Sequence, residues 1–360
     1  MSLDPVRLAL RQAIDAHAPV WLDPPVLQPA ALYLELSGED IRRRAYLILD
    51  DDGELCLRPD MTIPALRAAF AQKKTSGVVA YEGLVFRRQS ATTRESEFTQ
   101  IGAEWLGPSD DAAILGCALD ACRAAGATPA LRVGDLALVA AFVDGSGLHP
   151  HWAERVKRAL KRPHGFDALE AEIANDAPVA RGALADALAA APDPEAALAD
   201  LLSAAHIVPV GGRSLGDVAR RLSARAEAQR AAKPTRAQIA LLHELTHIDA
   251  PISKGLAAVE KLLPNVAKSA RTALDAAAAR FAGLPKDTRF TPGLGRNLAY
   301  YDGFVFELEA PALGERASLG GGGRYDALTQ RLNGAASKSA PIRGAGFALR
   351  PARIELAAKP

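Results

Sequence analysis

The chain is too poor in cysteine to build a disulfide framework or a four-cysteine metal site. Cys56, Cys117 and Cys122 are the only three in 360 residues, and their expected role is that of small buried apolar side chains. It also lacks an excess of one charge. The formal net charge is +1 at pH 7. Duplex or transfer RNA binding draws most of its affinity from neutralised phosphates, so nucleic acid is a poor candidate for a partner. No window approaches the roughly 18 consecutive apolar residues of a membrane span. The N-terminus has no basic run leading into a long apolar one, so no signal peptide is expected and the cytoplasm is the default location.

What is present is a globular composition. Hydrophobic residues make up 49% of the chain, enough for a full core and two domains. The most informative stretch is VVAYEGLVFRRQSATTRESEFTQIGAEWLG, residues 78–107, which reads as two strands joined by a basic, polar loop. On the second strand Phe98, Gln100, Gly102, Glu104 and Leu106 share one face, and Thr99, Ile101, Ala103 and Trp105 the other. An amide and a carboxylate on a sheet face, with a glycine between them, suit either a solvated surface or the floor of a small-molecule pocket. As a floor they would offer oxygen acceptors to an ammonium or an imidazole.

Around this stretch, residues 3–18 fit a helix with Val6, Leu10, Ala13, Ile14 and His17 on one stripe. Residues 44–57 read as a hairpin turning at Asp51-Asp52-Gly53. Next comes LRPDMT, Leu57 to Thr62, where Asp60 and Thr62 are candidates for capping the following helix or for a pocket. Ser109 or Asp110 would cap a helix over 109–125, and 129–134 is a strand. Residues 151–285 are mainly helical and rich in alanine, broken at Pro163, Pro178, Pro192 to Pro194 and Gly211-Gly212. Strands return at 301–309 and 344–349, the last closing the sheet. Between them Gly320 to Gly323 reads as a turn allowing close backbone approach to a ligand. It is no GxxxxGK-type phosphate loop, since no Lys-Ser or Lys-Thr follows. The simplest fold is α+β: an antiparallel sheet flanked by helices, built from 1–150 and 286–360, with 151–285 as a helical insertion or subdomain.

One motif is a decoy. His243-Glu244-Leu245-Thr246-His247 matches the HExxH pattern of zinc proteases. A catalytic zinc needs a third protein ligand, and Glu260, the nearest downstream acid, sits in an ordinary amphipathic stretch. The expected role is a helix turn, and no metal or cofactor is expected.

Several segments carry a family resemblance. YEGLVFRR and RESEFTQIGAEWLG resemble the second signature motif of class II aminoacyl-tRNA synthetases in the histidyl form. LRPDMT is similar to that family's LRPEGT segment, GRNLAYYDGFVFELEAP to its RGLDYY segment, and GGGGRYDAL to the glycine-rich segment that follows. GAGFALRPARI resembles a worn third motif. The pieces keep the family's order over about 5–355, except the helical stretch. The departures resemble a silent paralogue, the regulatory-subunit family of ATP phosphoribosyltransferase. Arg87 matches one ATP-clamping arginine, but Ser96 stands where the second is expected and Gln89 replaces a glutamate. Asp60 and Met61 replace glutamate and glycine, Ala299 replaces an aspartate, and Ala352 precedes the retained Arg353. Losing the arginine at 96 argues against adenylate formation, which needs charge stabilisation at the transferring phosphate. Only a few residues follow Arg353, so no anticodon-binding domain is expected.

The resemblance implies a site for L-histidine. Asp60, Thr62 and Gln100 would take the ammonium, Glu104 and Tyr300 the two ring nitrogens, and Arg296 the carboxylate. Arg87 would serve the carboxylate or hold its loop, and Tyr301 would be structural. Gly321 and Gly322 would let the backbone approach, with Tyr325 packing below. Arg324 would support this loop or form an ion pair with Asp326 or a neighbour. The implied partners are the short-form ATP phosphoribosyltransferase catalytic subunit and a second copy of this chain, in a hetero-octamer. A histidine-activating enzyme and a tRNA-linked histidine sensor are the alternatives.

Overall fold

The computed structural model describes residues 4–37, 44–50, 53–88, 95–160, 165–174, 183–207, 215–216, 218–220, 222, 231–263, 268–294, 300–314, 317–334 and 341–359. Arg296, Gln89, Ala299, the turn residues Asp51-Asp52, Pro163, Pro178 and Gly211-Gly212 lie outside the described residues.

In chain order the strands are β1 (Val20–Leu22), β2 (Leu27–Pro29), β3 (Leu47–Asp50), β4 (Gly53–Leu57), β5 (Gly77–Phe86), β6 (Glu97–Leu106), β7 (Ala130–Asp135), β8 (Ala250–Pro251), β9 (Arg289–Phe290), β10 (Phe304–Glu309), β11 (Ser318–Arg324) and β12 (Gly344–Leu349). Nine of them form one sheet in the order β1-β5-β6-β12-β11-β10-β7-β9-β8. Its centre, β5 to β7, is antiparallel, but β1 pairs β5 and β7 pairs β9 in parallel. The expected antiparallel sheet is therefore mixed. The parallel pairs add a short strand beside each end of the antiparallel run, an arrangement that no hairpin signal predicts.

Three further expectations change. The run Gly320–Gly323 is no turn but the middle of β11, paired with β10 on one side and β12 on the other. A Cβ at Gly321 or Gly322 would collide with the backbone oxygen of Phe306 or Gly346. These glycines therefore let strands approach closely. Second, β12 does not close the sheet but lies between β6 and β11. Third, the 44–57 hairpin forms β3 and β4, which join β2 in a separate three-stranded sheet.

The helices follow local chemistry. Asp4 caps Pro5–Asp15 by accepting from the Val6 N–H at 3.0 Å, and Leu10 and Ile14 turn its apolar stripe into the core. Asp110 caps Asp111–Ala124, and Asp135 caps Leu136–Gly145. Between residues 150 and 285 lie helices Pro150–Leu160, Gly165–Ala174, Ala183–Ala190, Pro194–Ala204, Arg236–Thr246, Ile252–Leu262 and Lys268–Phe281. Leu242, Leu245, Val259, Leu274 and Phe281 join the principal core, whereas Leu188, Leu198 and Ala219 make a small cluster of their own. Arg132 on β7 ties this region to the sheet through Asp249 at 2.6 Å and Glu309 at 3.1 Å.

His243 and His247 stack face to face with ring centroids 3.8 Å apart. The His247 ring nitrogen bonds the His243 carbonyl at 2.8 Å, and Glu260 pairs with Arg271 instead. Among the described residues no third histidine, cysteine or carboxylate joins the pair. The three cysteines are buried and free, and burial pushes Cys117 and Cys122 up to about 12, so they are inert thiols. No described helix is long and apolar enough to cross a membrane.

Candidate functional site

The site is built on β6. Gln100 and Glu104 lie on one face of it and are both buried, at 6% and 0% exposure. A solvated face is thereby excluded. The position between them, Gly102, stands in register with Tyr81 of β5. A Cβ there would sit 2.7 Å from the Tyr81 hydroxyl. The missing side chain thus makes room for that hydroxyl, which donates to Glu104 Oε1 at 2.9 Å. Tyr325, just beyond β11, donates to Glu104 Oε2. Both carboxylate oxygens are held by tyrosine hydroxyls.

Facing this floor is the start of the helix Thr62–Ala71. Asp60 Oδ1 accepts from the Ile63 N–H at 3.2 Å, so Asp60 satisfies a first-turn N–H of the helix from the position before its N-cap, Met61. Its other oxygen, Oδ2, is buried with no hydrogen-bond partner, and so is Gln100 Oε1. The Thr62 hydroxyl lies close to Glu104, Tyr81 and Tyr300. Asp60 acts electrostatically on Glu104, Tyr300 and Tyr301. Tyr300 packs edge-on against Tyr325 at 5.9 Å and beside Tyr301 at 4.8 Å. The structure therefore brings Asp60, Thr62, Glu104, Tyr300, Tyr301 and Tyr325 to one buried place, and Gln100 lies buried further along the same face of β6.

A basic region adjoins it. The Arg87 Nε donates to the Pro59 carbonyl at 2.7 Å. Its guanidinium lies 5.2 Å from the Phe98 ring centre, and that of Arg350 lies 4.0 Å from the same ring. Burial and then repulsion from Arg87 and Arg353 push Arg350 down to about 9. Arg324 belongs elsewhere. It pairs with Asp111 at 2.6 Å and Asp326 at 3.3 Å and donates to the Ser109 carbonyl, locking β11 to the start of the helix Asp111–Ala124.

The electrostatics are those of an acceptor-rich pocket. Burial pushes Asp60 up, partly offset by Arg87. Burial likewise pushes Glu104 from 4.5 to about 7, although hydrogen bonds from Tyr325, Thr62 and Tyr81 pull the other way. The folded state thus keeps this proton over a range where the unfolded chain has released it. This group's contribution to stability is greatest below pH 4.5 and declines as pH rises to about 7. Between pH 5 and pH 8 the wild type should lose on the order of 1–3 kcal/mol relative to Glu104→Gln. Urea midpoints of both proteins across that range would check it, and parallel profiles would refute it.

Tyr81 is the residue that sequence reasoning missed. Its signal was available: a tyrosine opposite a glycine that is flanked by an amide and a carboxylate. Tyr33 was missed too. It is 1% exposed, and its hydroxyl also lacks a partner.

A mainly antiparallel sheet floored by these residues, with helices across it, defines a class II aminoacyl-tRNA synthetase-type fold of the histidyl kind. The histidyl-tRNA synthetase family model matches residues 10–227 and 216–354. The ATP phosphoribosyltransferase regulatory subunit of Brucella anthropi is 33% identical over 97% of this chain and 96% of its own. The subunit of the same name from Sinorhizobium fredii is 35% identical over 93% and 92%. Among solved structures, an ATP phosphoribosyltransferase regulatory subunit/histidyl-tRNA synthetase from Bacillus halodurans aligns with a TM-score of 0.64. It is 19% identical, covering 99% of this chain and 78% of that one. A histidine–tRNA ligase subunit from Alicyclobacillus acidocaldarius gives 0.57 at 22% identity, over 98% and 91%. These two likenesses speak for the fold alone. The chain belongs to the family of ATP phosphoribosyltransferase regulatory subunits, the histidyl-tRNA synthetase-like paralogues.

Proposed function

We propose that this protein is the non-catalytic regulatory subunit that activates a short-form ATP phosphoribosyltransferase catalytic subunit and takes part in feedback inhibition by L-histidine. That partner condenses ATP with phosphoribosyl pyrophosphate, the first step of histidine biosynthesis. The single observation that supports a histidine pocket is that two buried acceptors, Asp60 Oδ2 and, on the strand face that carries Glu104, Gln100 Oε1, have no partner. Leaving such atoms unpaired costs about 1–3 kcal/mol each, a deficit that a donor-rich cation would remove.

In this reading the ammonium lies at Asp60 and Gln100, with Thr62 lining it. Glu104 accepts from one ring nitrogen, and Tyr300 meets the other. Satisfying both nitrogens separates histidine from isosteric amino acids. The carboxylate goes to Arg296, with Arg87 beside it. Tyr301, Tyr325 and the glycines of β11 hold the floor, and Arg324 holds β11. Residues 1–150 and 286–360 form the ligand-binding core and pair with a second copy. The helical stretch 151–285 contacts partners within a hetero-octamer in the cytoplasm. Histidine binding biases the assembly toward a less active form, and by linkage partner binding alters histidine affinity.

The test is reconstitution. A short-form catalytic subunit that is inactive alone should form phosphoribosyl-ATP when this chain is added, and added histidine should suppress it. The reading fails if no activity is gained. Histidine-dependent ATP–pyrophosphate exchange by the chain alone would establish the activating-enzyme alternative instead.

A further inference from the structure

Tyr325 holds one oxygen of Glu104, and its own place is set from outside the pocket. Its backbone N–H donates to the Gly344 carbonyl at 2.8 Å. The next residue, Asp326, accepts from the Gly344 N–H at 2.9 Å. The residue before it, Arg324, is gripped by Asp111. Arg324 Nη2 lies 2.6 Å and Nε 2.9 Å from the same oxygen, Oδ1. The other oxygen of Asp111, Oδ2, meets Arg280 Nε at 3.0 Å. Arg280 stands near the end of the helix Lys268–Phe281. It also pairs with Asp135, which caps the helix Leu136–Gly145.

Arg280 is thus the cation between two carboxylates. The side chains of Asp111, Arg324 and Asp135 are each at most 15% exposed, so these pairs are screened less than surface ones. Without the Arg280 charge, Asp111 and Asp135 would repel each other. Asp135 is held in place by the Leu138 N–H at 3.0 Å, so Asp111 is the one to give way. It would draw Arg324 with it, and Tyr325 is the next residue in the chain. Fastening the helix does not need Arg280, because Phe281 already packs against Phe290 at 5.5 Å and Phe304 at 6.0 Å.

We propose that Arg280 is a positioning residue for the bound ligand's ring: through Asp111 and Arg324 it sets Tyr325, and through Tyr325 the carboxylate of Glu104. This rests on the histidine-pocket reading and extends it to the helical stretch 151–285, whose helix Lys268–Phe281 then helps to set the affinity of the pocket.

Arg280→Gln removes the charge and keeps an amide. By calorimetry on the full chain, histidine affinity should fall about five- to tenfold. Arg280→Lys, which keeps the charge, should bind clearly tighter than Arg280→Gln. Tyr325→Phe should also weaken binding. Arg280→Gln added to Tyr325→Phe should lower affinity by less than about a further twofold, since the link is already cut. Asp249→Asn is the control. It breaks a different tie between the helical stretch and the sheet, the one to Arg132, and should leave histidine affinity unchanged. Should Arg280→Gln not fold, Asp111→Asn cuts the same link from the other side and takes its place in the cycle. Unchanged affinity in Arg280→Gln or in Tyr325→Phe overturns the proposal and leaves the pocket intact. So does any of three other results: no recovery in Arg280→Lys, losses that multiply in the double variant, or an equal loss in Asp249→Asn. Each would make Arg280 a support of the fold alone. A wild type that binds no histidine refutes the pocket reading, and this inference with it.

Discussion

Replacing Glu104 with alanine should weaken histidine binding at least tenfold and destabilise the free protein by roughly 2–4 kcal/mol. Both effects come from the same two hydrogen bonds. Tyr81 and Tyr325 donate to the two oxygens of this carboxylate, and all three side chains are buried. Alanine leaves the Tyr325 hydroxyl without its acceptor and the Tyr81 hydroxyl with only the Phe347 carbonyl at 3.3 Å, and an unpaired buried hydroxyl costs about 1–3 kcal/mol. Part of that loss is offset because a costly buried carboxylate has gone. Glu104→Gln separates the two effects. It keeps the volume and one acceptor, so at any one pH its denaturation midpoint should lie closer to wild type than that of Glu104→Ala. Its amide, however, offers the ligand's ring nitrogen a weaker, uncharged acceptor. Calorimetric affinities and urea midpoints for both variants check this. If both bind histidine as wild type does, Glu104 does not face the ligand's ring.

The second large effect should come from one methyl group on the neighbouring strand. Gly346 of β12 stands in register with Glu104. A Cβ at residue 346 would fall on Glu104 Oε2 and against the Ala103 carbonyl, well inside contact distance. The carboxylate cannot retreat without breaking its bonds to Tyr81 and Tyr325. The carbonyl belongs to a central strand paired on both sides. Gly346→Ala should therefore cost about 3 kcal/mol or more and abolish measurable histidine binding. Gly116→Ala is the control. It lies in the helix Asp111–Ala124, and a Cβ there meets nothing within 4 Å. That substitution should be neutral or stabilise by up to about 1 kcal/mol. Thermal melts and calorimetry distinguish the pair. A Gly346→Ala protein with wild-type stability and affinity would show that β12 is free to shift away from Glu104.

These two residues illustrate how differently the parts of the site could be read beforehand. Gln100 and Glu104 share a face because strand geometry alternates every residue, so their alliance is written in a ten-residue window. The bond from the Ile63 N–H to Asp60 at the start of the next helix is equally local. Tyr81 and Tyr325 are 23 and 221 positions from Glu104, and no periodicity links them to it. The four glycines at 320–323 look like a turn because glycine is permissive of turns. Only the flanking strands show that they are needed for close sheet contact. Sequence pattern does not state which strands become neighbours, so β12 looked like a closing edge rather than a strand at the centre.

By itself the amino-acid sequence determined the family, the helix starts and the face of β6 on which an amide and a carboxylate stand together. These are properties of short segments, fixed by backbone period, capping chemistry and ordered motifs. Tertiary structure decided that this face is buried and that two tyrosines grip its carboxylate. It also decided that Asp60 Oδ2, Gln100 Oε1 and the Tyr33 hydroxyl end without partners. Burial and hydrogen-bond satisfaction depend on which distant segments converge, so pairing between strands far apart in the chain had to settle them.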